Sequence, residues 1–371
     1  MKKKFKLASL AASVLLMGVS TFSAADTIKI ALAGPVTGPA AQYGEMLLNG
    51  ANLAIENINK AGGVNGSMLE GVVYDDACDP KQAVAVANKI VNDEIQFVVG
   101  HLCSSSTQPA SDIYEDEGVL MVTPASTSPA ITEAGHQMVF RTIGLDSLQG
   151  PKAANYVTNS VKPKSIAIIH DKQQYGEGLA SSVKATLESK GSNIVMFEGI
   201  TVGDKDFSSL IAKMQKAKVD FVYYGGYHAE LGLILRQASE KGLKAQFMGP
   251  EGVANDGLTA VAGDSAEGLL VTLPPSFDSN PLNKSLVDSL KAKNQDASAV
   301  FVLTSYSAVQ VMVDAMKATG GTDTDAMQAM MRTTTFNTPT GQLQFNDKGD
   351  LTDFEFVVYN FHADGSKTLA K

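Results

Sequence analysis

Gly100-His101-Leu102-Cys103-Ser104-Ser105-Ser106-Thr107 lies between the strand-like Phe97-Val98-Val99 and a helical pattern over residues 108–117. A turn of this composition directs backbone N–H groups and hydroxyls at one point, where a small anion such as a carboxylate can be held. The stretch reads as one wall of a ligand site at the end of a strand, with other loops brought to face it. By itself, a Ser/Thr run of this kind is more often a helix cap than a ligand site. The decision rests on what surrounds it.

Upstream, residues 28–32 read as a strand, residues 34–39 as a Gly/Pro loop, and Tyr43 stands at the mouth of a helix running to Ala61, stopped by Gly62-Gly63. A strand over 69–74 follows. Asp79-Pro80 then supplies an N-cap and a first-turn proline for a helix with apolar Ala83, Val84, Ala87, Ile90 and Val91. Downstream, a strand over 119–122 leads into the loop 123–129. A second set begins with a helix after Asp146, then a strand over 166–169, a loop over 170–178 and a helix to Lys190. Further strands are expected at 194–197, 221–224, 246–248 and 269–273. Two α/β sheets, each doubly wound with helices on both faces, account for this alternation better than one large sheet. The tail departs from it, with helices expected around 285–293, 299–318 and 326–332, then a hairpin-like pair at 342–345 and 354–359. Such an ending suits a chain that returns to the first unit and then touches the second.

Residues 1–25 carry a basic head (Lys2, Lys3, Lys4, Lys6), an apolar centre over 7–19 and the small residues Ser23-Ala24-Ala25. This is the pattern of a secretory signal peptide, and the apolar run is short for a membrane anchor. No cysteine follows the run where a lipid-modified terminus needs one. Removing 25 of the 371 residues leaves 346, more than one core usually serves, so two domains are expected. Removing the four leader lysines from 30 basic residues leaves 26 against 39 acidic ones, a formal charge of −13. That balance argues against nucleic acid or an anionic membrane as partner and for a small ligand. Cys78 and Cys103 are the only cysteines and most simply form a disulfide in an oxidising compartment. A catalytic cysteine with one of the histidines is the alternative.

Ligands of open α/β sheets bind beyond the carboxyl ends of the strands, and polar or aromatic residues recur there: Tyr43, 104–107, 125–127, Tyr175, Tyr227 and Glu251. Hydroxyls and N–H groups can take a carboxylate, a buried anion an ammonium, and aromatic rings an apolar body. Together they describe a zwitterionic amino acid with an apolar side chain. Read singly, Tyr175 beside Gly176 is as readily an exposed loop tyrosine, and Glu251 after Pro250 a solvated turn residue. The chain has no G-x-S-x-G, no G-x-x-x-x-G-K-[ST], no H-E-x-x-H and no complete G-x-G-x-x-G. His101, His136, His170, His228 and His362 lack metal-ligand spacing, and Asp75-Asp76 with Asp79 reads as a solvated turn and cap. No cofactor or metal is expected, and no enzymatic activity.

Tyr74-Asp75-Asp76-Ala77-Cys78-Asp79-Pro80-Lys81-Gln82-Ala83, GHLCSSSTQPASDIYEDEG over 100–118, HDKQQYGEG over 170–178, DFVYYGGYH over 220–228 and QFMGPEGVAN over 246–255 carry a family likeness. With them the chain resembles the periplasmic leucine/isoleucine/valine-binding proteins, substrate-binding proteins of branched-chain amino acid ABC transporters, over nearly the whole mature length. The resemblance implies a type I periplasmic binding-protein fold: two three-layer α/β/α lobes joined by three crossing segments. It implies residues 26–145 plus 275–353 as the N-terminal lobe and 146–274 plus 354–371 as the C-terminal lobe. The implied activity is closure on leucine, isoleucine or valine and delivery to the membrane permease of an ABC importer, by a periplasmic monomer. Position by position, Ser104 and Thr127 would take the α-carboxylate. The Ala125 carbonyl, Thr127 hydroxyl and Glu251 would take the ammonium. Tyr175 and Tyr227 would close from the other lobe, and Tyr43, Leu102 and Phe301 would shape the side-chain pocket. A Cys78–Cys103 disulfide is also implied. Ser126 departs from the small apolar residue or glycine usual there, which would alter pocket polarity, and residues 315–340 match poorly. The rival from another class is a sensory or regulatory binding protein for another amino acid or amide. It would be favoured by a transmembrane or signalling segment, and the residues read here contain none.

Overall fold

The computed structural model describes residues 27–371, so the leader read over 1–25 lies outside the described residues. The first nine elements alternate: β1 (Ile28–Gly34), α1 (Ala41–Lys60), β2 (Leu69–Asp75), α2 (Pro80–Asn92), β3 (Phe97–Gly100), α3 (Ser104–Asp116), β4 (Leu120–Thr123), α4 (Ala130–Glu133) and β5 (Val139–Arg141). Their strands form a parallel sheet in the order β2-β1-β3-β4-β5. β1 shows why such a strand is an apolar run: Ile30 and Leu32 enter one buried cluster, Ala31 and Ala33 the cluster on the opposite face. Helices must cover both sides.

The second series runs α5 (Asp146–Tyr156), β6 (Ile166–His170), α6 (Gln174–Ser189), β7 (Ile194–Gly199), α7 (Ser208–Lys216), β8 (Phe221–Gly225), α8 (His228–Glu240), β9 (Gln246–Gly249), α9 (Asp256–Ala262) and β10 (Leu269–Leu273). The chain then forms α10 (Lys284–Ala292), α11 (Val302–Thr319), α12 (Thr324–Met331), β11 (Thr335–Thr338), β12 (Gly341–Gln344), β13 (Val357–Phe361) and β14 (Lys367–Leu369). The second sheet has seven strands in the order β14-β13-β10-β9-β8-β6-β7 and also separates two buried clusters, with Ile169 on one side and Ile168 on the other. α11 packs on α1, where a Cβ on Gly50 would stand 1.9 Å from the Val302 carbonyl oxygen. The chain therefore passes between the sheets three times: after β5, after β10 and before β13.

Three local expectations change. α3 begins at Ser104, four residues earlier than expected, with Pro109 inside it. A proline is most at home in the first turn, which is why the sequence pattern placed the start at Gln108. The tail strands do not pair with each other. β12 pairs antiparallel with β11, whereas β13 adds to the second sheet beside β10 and pairs with β14. Asp75 and Asp76 are not a solvated turn: Asp75 accepts from the Val36 N–H at 2.9 Å, and Asp76 is buried against His101 Nδ1 at 2.6 Å. Asp79 does cap α2.

Cys78 and Cys103 are joined, with their Cα atoms 5.5 Å apart, tying the β2 loop to the start of α3. Gly100 has φ +135° and a Cβ there would meet the Ala33 carbonyl oxygen at 1.9 Å, so the turn before the site requires glycine. Among the described residues no helix is long and apolar enough to cross a membrane.

At the end of β5 the fully buried Arg141 pairs through Nε with Asp350 at 2.7 Å and donates to the carbonyls of Ser126 at 2.6 Å and Ser128 at 3.2 Å. Removing one partner strands the other charge in the core. Arg141→Met is expected to destabilise the protein by about 3–5 kcal/mol, read as a lower midpoint in urea denaturation.

Candidate ligand-binding site

A small, narrow cavity lies where the carboxyl ends of the two sheets face each other. From the first sheet come Leu102 and Ser104 after β3, Ala125 after β4 and Tyr43 in α1, with Phe301 at the start of α11. The second contributes Tyr175 in the first turn of α6, Tyr227 before α8 and Glu251 in a 3-10 turn after β9. Eight of the nine residues expected at the site thus line one cavity. The ninth, Thr127, is buried beside it and its carbonyl accepts the Asp146 N–H at 3.0 Å.

Each part follows from its local structure. Ser104 opens the 13-residue α3, whose N-cap Cys103 makes no side-chain cap bond, its sulfur being taken by the disulfide. The first N–H groups of the helix and the positive end of its dipole thus remain for an anion. The Asp76–His101–Tyr114 network supports the turn from beneath, with His101 Nε2 2.9 Å from the Tyr114 hydroxyl. The Ala125 loop is held by Arg141. Ser126 does not add polarity to the cavity: its hydroxyl pairs with Thr107 at 2.5 Å and the Leu102 carbonyl at 2.9 Å. Tyr175 is buried at 3% exposure, not an exposed loop tyrosine, and its hydroxyl accepts the Gly252 N–H at 3.2 Å.

An aromatic wall crosses between the sheets. Ring centroids are 6.0 Å apart for Tyr43–Phe301, 5.6 Å for Tyr43–Tyr227 and 5.2 Å for Tyr175–Tyr227. Polar contacts also span the cleft. The Tyr43 hydroxyl donates to the Gly252 carbonyl at 2.5 Å, receives Asn255 Nδ2 at 3.0 Å and lies 2.8 Å from His228 Nδ1. Burial lowers His228 to a pKa of about 4, so its ring is neutral near pH 7. On the other side, Gln174 Nε2 donates to Gln108 and to Ser128, each at 3.2 Å.

Two acids dominate the electrostatics. Glu251, far from a solvated turn residue at 1% exposure, receives Gln149 Nε2, and burial raises its pKa to about 7. Asp146, at 2% exposure, has two buried oxygens without a hydrogen-bond partner. Burial, then the nearby Glu251, raises its pKa to about 8. Thr127 Oγ1 is also buried and unpartnered. Two carboxyls and a free hydroxyl form a place for a cationic group with hydrogens to donate. Among the described residues no cluster of three or more His, Cys, Asp or Glu is placed to hold a metal. Asp146 and Gln149 were not singled out in the sequence, because Asp146-Ser147-Leu148-Gln149 at a helix start has the composition of an exposed first turn.

Because both carboxyls have raised pKa values, the folded chain binds more protons than the unfolded one between pH about 4 and 8. The stability they contribute is full below the unfolded values and is lost as pH rises through about 7 and 8. Asp146→Asn, which keeps the neutral shape, is expected to raise the melting temperature of the ligand-free protein at pH 8.5 by a few degrees and to raise it clearly less at pH 5, by scanning calorimetry.

Comparison with known proteins places these features in a lineage. Residues 27–365 match the family model described as periplasmic binding protein. The chain is 59% identical over 367 residues to the leucine-, isoleucine-, valine-, threonine- and alanine-binding protein of Pseudomonas aeruginosa, covering 99% of this chain and 98% of that one. It is 54% identical over 363 residues to the Leu/Ile/Val-binding protein of Escherichia coli, covering 98% of each. Among solved structures, a leucine binding protein of Thermotoga maritima superposes with a TM-score of 0.85 at 26% identity, covering 93% of this chain and 98% of that one. A branched-chain amino acid transporter substrate-binding protein of Streptococcus pneumoniae in complex with isoleucine gives 0.83 at 26% identity, covering 93% and 99%. The fold is that of the type I periplasmic binding proteins, and the chain belongs to the periplasmic binding protein family.

Proposed function

We propose that the chain is a periplasmic receptor that closes on a branched-chain amino acid, leucine, isoleucine or valine, and hands it to the membrane permease of an ABC importer without turning it over. The observation that carries this is the pairing, in one cavity, of an uncapped helix start with the buried Glu251 carboxyl and an aromatic wall, the buried Asp146 lying outside the lining. A zwitterion satisfies both poles at once. Its carboxylate meets Ser104 at the start of α3 and Thr127. Its ammonium meets the Ala125 carbonyl, the Thr127 hydroxyl and Glu251, with Asp146 behind. The aliphatic side chain packs on Tyr43, Leu102 and Phe301, while Tyr175 and Tyr227 cover it. Relatives whose names specify leucine, isoleucine and valine support the same class.

The moving parts are residues 26–145 plus 275–353 and residues 146–274 plus 354–371, hinged at the three passages between sheets. Ligand contacts with both parts favour the closed form, and the permease then reads that closed surface. No cofactor or metal enters, no nucleic acid is bound, and the receptor works as a monomer. The arriving ammonium lowers the proton affinity of Glu251 and Asp146, so binding near neutral pH releases protons.

Isothermal titration of the ligand-stripped protein with leucine, isoleucine, valine, threonine, alanine, phenylalanine and glutamate tests the class. One-to-one binding led by the three branched aliphatic ligands is expected; preference for glutamate or silence from a folded protein overturns it. Glu251→Gln removes the charge facing the ammonium and is expected to weaken leucine by roughly 30-fold or more.

A further inference from the structure

We infer that Gln149, which does not line the cavity, positions the Glu251 carboxylate, holding it ionised and turned toward the ligand's ammonium. The inference deepens the amino-acid reading above and rests on it. Gln149 sits on the fourth residue of α5, immediately after the first passage between the sheets, and has no exposed surface. Its Nε2 donates to Glu251 Oε2, to the Thr272 hydroxyl at 2.8 Å and toward the Thr272 carbonyl at 3.2 Å. The opposite amide orientation would set Oε1 against a carboxylate and a carbonyl oxygen, so only one orientation is chemically consistent. The cost is a buried Oε1 without a partner. A side chain kept in place with half its amide unsatisfied is held there by its donor half.

The surroundings of Glu251 leave few other groups for that task. Facing it are Asp146 from α5, Tyr175 from α6, Tyr223 from β8, Tyr227 before α8 and Tyr43 from α1. The buried cation near this group, Arg141, is paired with Asp350. Beside Gln149, the Tyr175 hydroxyl and the backbone of Glu251 favour the ionised form more weakly, and in the proposed function Tyr175 is also a ligand-covering ring. Burial pushes Glu251 toward its protonated form, which cannot pair an ammonium as an anion, and the amide opposes this.

The test uses Gln149→Met, close in size but without a donor, and Thr272→Val, which leaves Gln149 in place but removes its hydroxyl anchor. Leucine titrations from pH 6 to 9 are paired with ¹³C-carboxyl NMR of Glu251 in the ligand-free protein. Gln149→Met is expected to weaken leucine about tenfold or more at pH 7, to regain part of the loss at pH 9, and to move the Glu251 titration upward by about one pH unit. Thr272→Val is expected to weaken leucine severalfold in the same direction, and it carries the test if Gln149→Met does not fold. Wild-type affinity and pH profile in the folded Gln149→Met variant overturn the inference. If the unmodified protein binds none of the amino acids, the functional reading fails, and the Glu251 carboxyl titration in Gln149→Met still decides Gln149: unchanged, it overturns the positioning role.

Discussion

A guanidinium with no exposed surface ties the loop after β4 to the chain returning from α12. Arg141 stands at the last position of β5 and reaches Asp350 and Thr132 as well as the carbonyls of Ser126 and Ser128, while its own N–H donates to the Gly349 carbonyl at 3.1 Å. A buried charge cannot be left without partners. The tail returning from α12 must therefore close against β5, and the loop after β4 must present its carbonyls inward. That leaves Ala125 at the cavity and Thr127 buried beside it. The conformation of a ligand loop is thus set by a residue that never meets the ligand.

Glu251 and Asp146 are the inverse case. Where Arg141 is surrounded by acceptors, both carboxyls are buried, Asp146 without a hydrogen-bond partner and Glu251 with Gln149, and burial raises the proton affinity of each.

The α/β architecture was legible because buried parallel strands are short apolar runs between glycine-rich loops, as in β1, β6 and β10. The lining of the cavity was legible through residues at strand ends and through the family blocks around Cys78, Cys103, Tyr175, Tyr227 and Glu251. What could not be read depends on tertiary context. Pro109 concealed four residues of α3, since nothing local says that a proline lies inside the helix. The partner of β13 is set by where the chain returns, not by its alternation. Asp146, Gln149 and Asp76 are polar residues in turn-like or helix-start settings, and only the packing of a second element over them shows that they are interior.

Tyr43 belongs at once to the side-chain pocket, through its ring, and to the bridge across the cleft, through its hydroxyl. The two roles cannot be altered separately. A substitution at this position that reshapes the pocket for a different side chain also removes contacts that hold the halves together, so selectivity and residence time would drift in step. Divergence toward new solutes at this position would thus carry a kinetic signature, with faster release accompanying the altered preference until a second change, at Gln174 or Asn255, restored the bridge.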